Sequence, residues 1–135
     1  MNESVASETI SPEERLARFI TSKHWLRAEG TVKPDAFIPP ADLNLSVTRH
    51  IGLSEEQLLK VGEDVVRKVA DKRTAALYGR ADFVVKQLPA PLLAAPAPLI
   101  GNTNHAHVTG WPSEKPAQKN LAQRLAAVAV YVILK

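Results

Sequence analysis

The feature that most constrains the fold is a strict alternation of apolar and polar side chains over residues 43–48 (LNLSVT). A period of two residues is typical of a β-strand that has one face against a core. Continuing the same period places Arg49 on the apolar face and His50 on the polar face. Residues 105–109 (HAHVT) repeat the alternation. The chain is therefore predicted to contain a sheet.

Three segments carry the signals of helices. A capping box at Ser54 precedes apolar residues at helical spacing, which predicts a helix over residues 55–73. Residues 11–14 (SPEE) have the same pattern, with proline at the first helical position, and predict a helix over residues 12–23. Ser113 is a candidate cap for a final helix near the C-terminus.

These elements indicate an α+β fold. Residues 81–86 (ADFVVK) are a further β-type run, whereas prolines interrupt residues 89–100, which are predicted to be a connector. The aliphatic residues 125–134 fit either the end of a helix or a strand. We expect about three helices packed on a small, mostly antiparallel sheet of three or more short strands.

The net charge of +3 conceals an uneven distribution. The first fourteen residues hold four glutamates and no lysine or arginine, while the rest of the chain has 17 basic against ten acidic residues, or +7. A basic body permits contacts to phosphate or nucleic acid. We expect residues 1–10 to form a flexible acidic arm and residues 11–135 to form a single domain.

Several classes of protein are disfavoured. The chain has no cysteine, which excludes disulfide scaffolds, cysteine nucleophiles and iron–sulfur clusters. It also lacks the glycine-rich phosphate-binding, zinc-protease and serine-hydrolase motifs. The opening residues do not resemble an export signal, and the most apolar run, 125–134, is half the length of the roughly 20 residues of a membrane span. We therefore expect a cytoplasmic protein without membrane association.

Histidines are the main candidates for chemistry. His105 and His107 are two residues apart on a predicted strand, so their side chains share one face. With His50 from the polar face of the other strand, they could act as general acid and base. Alternatively, His105 and His107 are candidate ligands of a divalent metal, a cofactor that we do not favour because this spacing is common.

Four other residues are candidate ligand-binding groups. Arg49, on an apolar face, must extend to solvent, pair with a carboxylate or face a polar cavity. Arg80 either contacts a ligand or pairs with Asp82 on the same strand face. Asn104 lies at a turn, and Trp111 follows a strand, where it either anchors the loop or stacks on a base or sugar.

If these groups converge, they form a basic, histidine-containing pocket. Such a pocket would bind or act on a phosphate-bearing ligand, a nucleotide or nucleic acid, by a hydrolytic route in the enzymatic case. The alternative is a non-catalytic regulatory or protein-interaction module. That module would use the apolar face of its C-terminal helix, which also predicts a homo-oligomer.

Overall fold

In a computed structural model of the chain, residues 9–70 and 75–134 are described, and they form one antiparallel sheet with two α-helices. The six strands are β1 (Arg15–Ile20), β2 (Leu45–Arg49), β3 (Gly79–Val84), β4 (Leu93–Pro96), β5 (His105–Thr109) and β6 (Val130–Ile133). The helices are α1 (Glu55–Ala70) and α2 (Lys115–Val128). The strand order is β4-β5-β2-β1-β3-β6, so β1 lies near the middle of the sheet.

The two faces of the sheet are covered by different helices. On the first face, Leu16 and Ile20 of β1 belong to a buried cluster with Leu121 and Leu125 of α2. A 3₁₀ turn, Pro34–Phe37, completes this cluster. On the second face, α1 passes over β1. Burial of apolar side chains on both faces makes β1 the centre of the core.

Residues 12–23 do not form the predicted helix, and that prediction is wrong. They contain β1, in which Leu16, Ala17, Phe19 and Ile20 are all buried. A strand buried on both faces has no alternation to reveal it, and its apolar spacing resembles that of a helix. The predicted cap at Ser11 closes a turn instead, with its backbone N–H donating to the Glu14 carboxylate at 3.1 Å.

The second capping box is confirmed. The Ser54 N–H donates to Oε1 of Gln57 at 2.8 Å, and the Gln57 N–H donates to Oγ of Ser54 at 3.1 Å. Together they begin α1 as predicted. The end of the predicted helix, residues 71–73, lies outside the described residues, as do residues 1–8 of the expected acidic arm.

The α+β class is confirmed, with two α-helices rather than about three and a sheet that is antiparallel throughout the described residues. Residues 89–100 are more than a connector, because β4 lies within them. Residues 125–134 hold both of the structures considered, since α2 ends at Val128 and β6 begins at Val130. Within the described ranges, no helix combines the length and apolarity needed to cross a membrane.

Candidate functional site

A cavity of about 300 Å³ lies between α1 and the second face of the sheet, and we call it the cleft. Its volume is at the lower end of the roughly 300–1,000 Å³ range of small-molecule sites. The residues that line it come from β1 and the segment after it, β2, α1, the start of β5 and the segment before β5: Arg18, Phe19, Thr21, Trp25, Ser46, Val47, Thr48, Val65, Lys68, Val69, Leu99, Asn102 and His105.

The cleft exists because α1 approaches the sheet closely at one point and meets small side chains beyond it. A Cβ on Gly62 would lie 2.7 Å from the Phe19 ring, so only glycine allows this approach. Further along α1, Val65 and Val69 face the part of β2 that bears Ser46 and Thr48. Those two side chains are too short to fill the space between helix and sheet.

The cleft is electropositive. Its lining includes the cations Arg18 and Lys68, and no carboxylate occurs among the described residues that line it. Arg18 is fixed, because its Nε donates to the Ala36 carbonyl at 2.8 Å and its guanidinium lies 5.1 Å from the Trp25 ring centroid. Lys68 is exposed on the last turn of α1, and its ammonium is therefore the adaptable cation.

His105 is half-buried in the cleft and has a defined tautomer. Its Nδ1 lies 2.8 Å from the carbonyl oxygen of Ala97, and a carbonyl only accepts, so Nδ1 carries the proton. Burial lowers the pKa of His105, and the charges of His107 and Lys68 lower it further, against the raising effect of the Ala97 hydrogen bond. The imidazole is therefore neutral at pH 7 and leaves Nε2 as an acceptor.

The lowered pKa predicts a stability change with pH. Because the folded-state pKa lies below the unfolded value of about 6.5, the unfolded chain binds more protons as the pH falls through that range, and stability is lost. We expect His105→Asn, which keeps a donor for Ala97 but cannot titrate, to reduce this loss. Thermal unfolding of the original protein and of His105→Asn between pH 7.5 and 5 measures the loss of stability.

His24→Asn is the control, because His24 is exposed and does not line the cleft. A loss of stability that His105→Asn leaves unchanged would contradict the lowered pKa of His105.

His107 is brought next to His105 but lines neither of the cavities described in this structure. The two ring centroids are 5.0 Å apart and the ring planes are inclined by 85°. His107 and His105 have Ser46 and Thr48 as cross-strand partners, so His50 lies four residues of extended chain, or roughly 13 Å, beyond the partner of His107 and two residues beyond that of His105. His105 and His107 are in ring contact, whereas Nε2 of His50 lies 3.1 Å from the Asp82 carboxylate.

His50 belongs to a charged network at the start of α1. Its Nε2 lies 3.1 Å from Oδ1 of Asp82, and Arg80 donates to both oxygens of that carboxylate at 3.0 and 3.1 Å. Arg80 also donates through Nη1 and Nη2 to Glu55 at 2.9 and 3.1 Å. Burial lowers the pKa of Arg80, but Glu55 and Asp82 more than offset this and raise it. The network joins α1 to β3.

The other candidate ligand-binding residues are engaged within the protein and line neither cavity. Arg49 pairs with Glu14, at 2.8 Å from Nε to Oε1 and 2.7 Å from Nη2 to Oε2. The Asn104 amide donates to the carbonyls of Arg49 and Ile51 at 2.8 and 2.7 Å. Trp111 is buried, and its Nε1 donates to the Val108 carbonyl at 3.0 Å.

No group of three or more histidine, aspartate or glutamate side chains in the described part of the chain is arranged to hold a metal ion. His105 and His107 are a pair without a third such ligand among these residues.

Sequence reasoning missed most of the cleft. Lys68 is one of the cations in the last turn of α1, where it complements the helix dipole, but it also follows Val65 by three residues and so lies beside the apolar face of α1. That spacing is a sequence signal for a lysine at the edge of a helix–sheet interface. No comparable sequence signal marks Phe19, Trp25 or Asn102, because their positions depend on how separate elements pack.

Comparisons with protein-family models, with curated proteins and with solved structures found no match to this chain.

Proposed function

We propose that this protein binds a small organic ligand that carries a phosphate, in the cleft between α1 and the sheet. The observation that carries the proposal is the composition of the lining: two cations, aromatic and aliphatic side chains, and no carboxylate among the described residues that line it. Apolar sites with a few well-placed polar groups are typical of small-molecule binding.

The apolar part of the lining suits a flat or aliphatic group. Phe19 and Trp25 supply aromatic surface from one side, while Val65, Val69 and Leu99 supply aliphatic surface from α1 and the segment before β5. A nucleobase is complementary to such a lining, because every base has an apolar face that stacks on aromatic rings.

The polar groups suit an anion with a hydrogen-bond donor. Lys68 is the cation free to move toward a phosphate, and Asn102 offers an amide beside it. Nε2 of His105 accepts a hydrogen bond from an N–H or O–H group of the ligand. In a hydrolytic reaction the same nitrogen would take the proton from the attacking water.

Lys68→Gln should weaken the binding of adenosine 5′-monophosphate about tenfold or more, since a charge-assisted hydrogen bond contributes roughly 1.5–3 kcal/mol. Adenosine, which lacks the phosphate, should bind equally to the original protein and to Lys68→Gln. Isothermal titration calorimetry at fixed salt measures both affinities, and chemical-shift changes in amide spectra locate the site.

Lys60→Gln is the matched control, because Lys60 is an exposed lysine of the same helix that lines neither cavity. It removes the same charge and should leave the affinity within about twofold, as expected for an exposed charge at a distance. Equal losses in the two variants, or no binding of the monophosphate to the original protein, would overturn the proposal.

The alternative, a protein-interaction module that uses the C-terminal helix, has less support. Leu121, Ala122 and Leu125 of α2 are buried in the core, so the apolar face of that helix already packs within the protein. Self-association through α2 would need other residues.

A further inference from the structure

A second cavity, of about 270 Å³, lies directly beside the cleft. The two share Val65, Lys68 and Asn102, so these residues stand at the boundary between them. The residues that line only the second cavity are Val61, Asp64, Arg67, Ile100 and Gly101. The boundary is formed by one cation, one amide and one aliphatic side chain.

The sizes of the cavities favour a ligand that occupies both. The cleft is at the lower limit of about 300 Å³ for small-molecule sites and the second cavity is just below it, whereas the pair together lies within the usual range. A ligand confined to the cleft would leave the second cavity to solvent. One that crosses the boundary would pass Lys68 and Asn102 midway along its length.

We infer that the ligand is a phosphodiester, with its phosphate at Lys68 and Asn102 and an organic group on each side. This rests on the proposed function, and it adds that the phosphate is internal to the ligand rather than terminal. One substituent, a base, lies in the cleft; the other lies in the second cavity. A phosphomonoester fills only one side of the boundary.

The character of the second substituent follows from Asp64. A carboxylate repels a further phosphate but accepts hydrogen bonds from hydroxyl groups. Asp64 forms an ion pair with Arg67, which leaves other lone pairs of its carboxylate to accept hydrogen bonds. The second cavity is therefore suited to a sugar and its hydroxyls. The shared chemistry is a sugar–phosphodiester–nucleoside unit, found both in a free dinucleotide and within an RNA strand.

The test compares three probes by calorimetry at one salt concentration: adenosine 5′-monophosphate, adenylyl-(3′→5′)-adenosine and a ten-residue oligoadenylate. The dinucleotide should bind at least about tenfold more tightly than the monophosphate, as expected for added hydrogen bonds and stacking. Asp64→Asn should lower this preference about two- to tenfold, since one ligand hydrogen bond is weakened.

Glu63→Gln is the matched control, since Glu63 is exposed, adjacent in sequence and lines neither cavity. It changes the net charge as Asp64→Asn does and should leave the preference unaltered. A dinucleotide that binds no better than the monophosphate, or a preference that Asp64→Asn does not lower, overturns the diester inference while the proposed function stands. Binding of none of the probes overturns both.

The oligoadenylate identifies the source of the ligand. An affinity per site equal to that of the dinucleotide supports a free dinucleotide. A clearly tighter affinity, with a steeper dependence on salt, supports an RNA strand that contacts further phosphates beyond the two cavities.

Discussion

Replacing Glu14 with glutamine should lower the free energy of unfolding by about 3–5 kcal/mol, the usual effect of removing one partner of a buried ion pair. Arg49 is only 1% exposed and lies on the otherwise apolar face of β2. Its Nε and Nη2 donate to the two oxygens of the Glu14 carboxylate. Without that charge, Nε and Nη2 of the buried guanidinium face a neutral amide in place of a carboxylate.

Urea denaturation of the original protein and of Glu14→Gln measures the difference. Glu13→Gln is the matched control, because Glu13 is exposed and its carboxylate accepts a hydrogen bond from the neutral hydroxyl of Ser11. It should change the stability by less than about 0.5 kcal/mol. Comparable stabilities for Glu14→Gln and Glu13→Gln would show that the Arg49 pair does not stabilise the fold.

The Arg49–Glu14 ion pair also makes the stability of the fold depend on pH in the acidic range. Burial raises the pKa of Glu14, but hydrogen bonds from Arg49 and Ser11 and the charge of Arg49 outweigh it, so the pKa is lower than the ordinary 4.5. Because the folded-state pKa is the lower one, the contribution of Glu14 is fully present above pH 4.5 and is lost as the pH falls through the folded-state value. Glu14→Gln should lack this acid-side loss.

Arg80→Met should cost about 3–5 kcal/mol for a related reason. Arg80 is 3% exposed and is the group that donates to both oxygens of the buried Asp82 carboxylate. Methionine fills a similar volume but leaves Asp82 with His50 as its described side-chain partner. The link from β3 to Glu55 is lost as well, so the first turn of α1 is held less firmly.

Glu55→Gln separates the contribution of the exposed Arg80–Glu55 pair from that of the buried Arg80–Asp82 pair. The Glu55 side chain is 76% exposed, and an exposed ion pair contributes only about 0–1 kcal/mol. Chemical denaturation should therefore rank Arg80→Met as far more destabilising than Glu55→Gln. If both variants lost less than 1 kcal/mol, buried Asp82 would not depend on Arg80.

The strands and helices that sequence alone predicted correctly are those whose two sides face different surroundings. β2 and β5 alternate because their apolar side chains lie in the core on one face, while the other face carries polar side chains, three of which line the cleft: Ser46, Thr48 and His105. α1 has a true capping box and a single apolar face. β1 has no such asymmetry, since Ala17 and Phe19 are buried on one face and Leu16 and Ile20 on the other. Its sequence therefore resembles a helix.

The candidate site was harder to predict, because it depends on pairs of residues far apart in the chain. The alternation correctly placed Arg49 on an apolar face, but the identity of its partner, 35 residues earlier, follows only from the meeting of β1 and β2. Similarly, the cleft results from Gly62 resting on Phe19 while Ser46 and Thr48 leave space nearby. No local sequence pattern predicts a gap between a helix and a sheet.

The central position of β1 has a consequence for folding during translation. Arg15 lies opposite Val84 of β3, and Leu16 lies opposite Arg49 of β2. Both strands that pair with β1 are therefore synthesised after it. At translation rates of about 5–20 residues per second, roughly 3–14 s pass between the synthesis of Arg15 and that of Val84. Throughout that interval the β1 segment, with apolar side chains on both faces, lacks one of its two neighbouring strands, a condition that makes incompletely folded chains prone to aggregation.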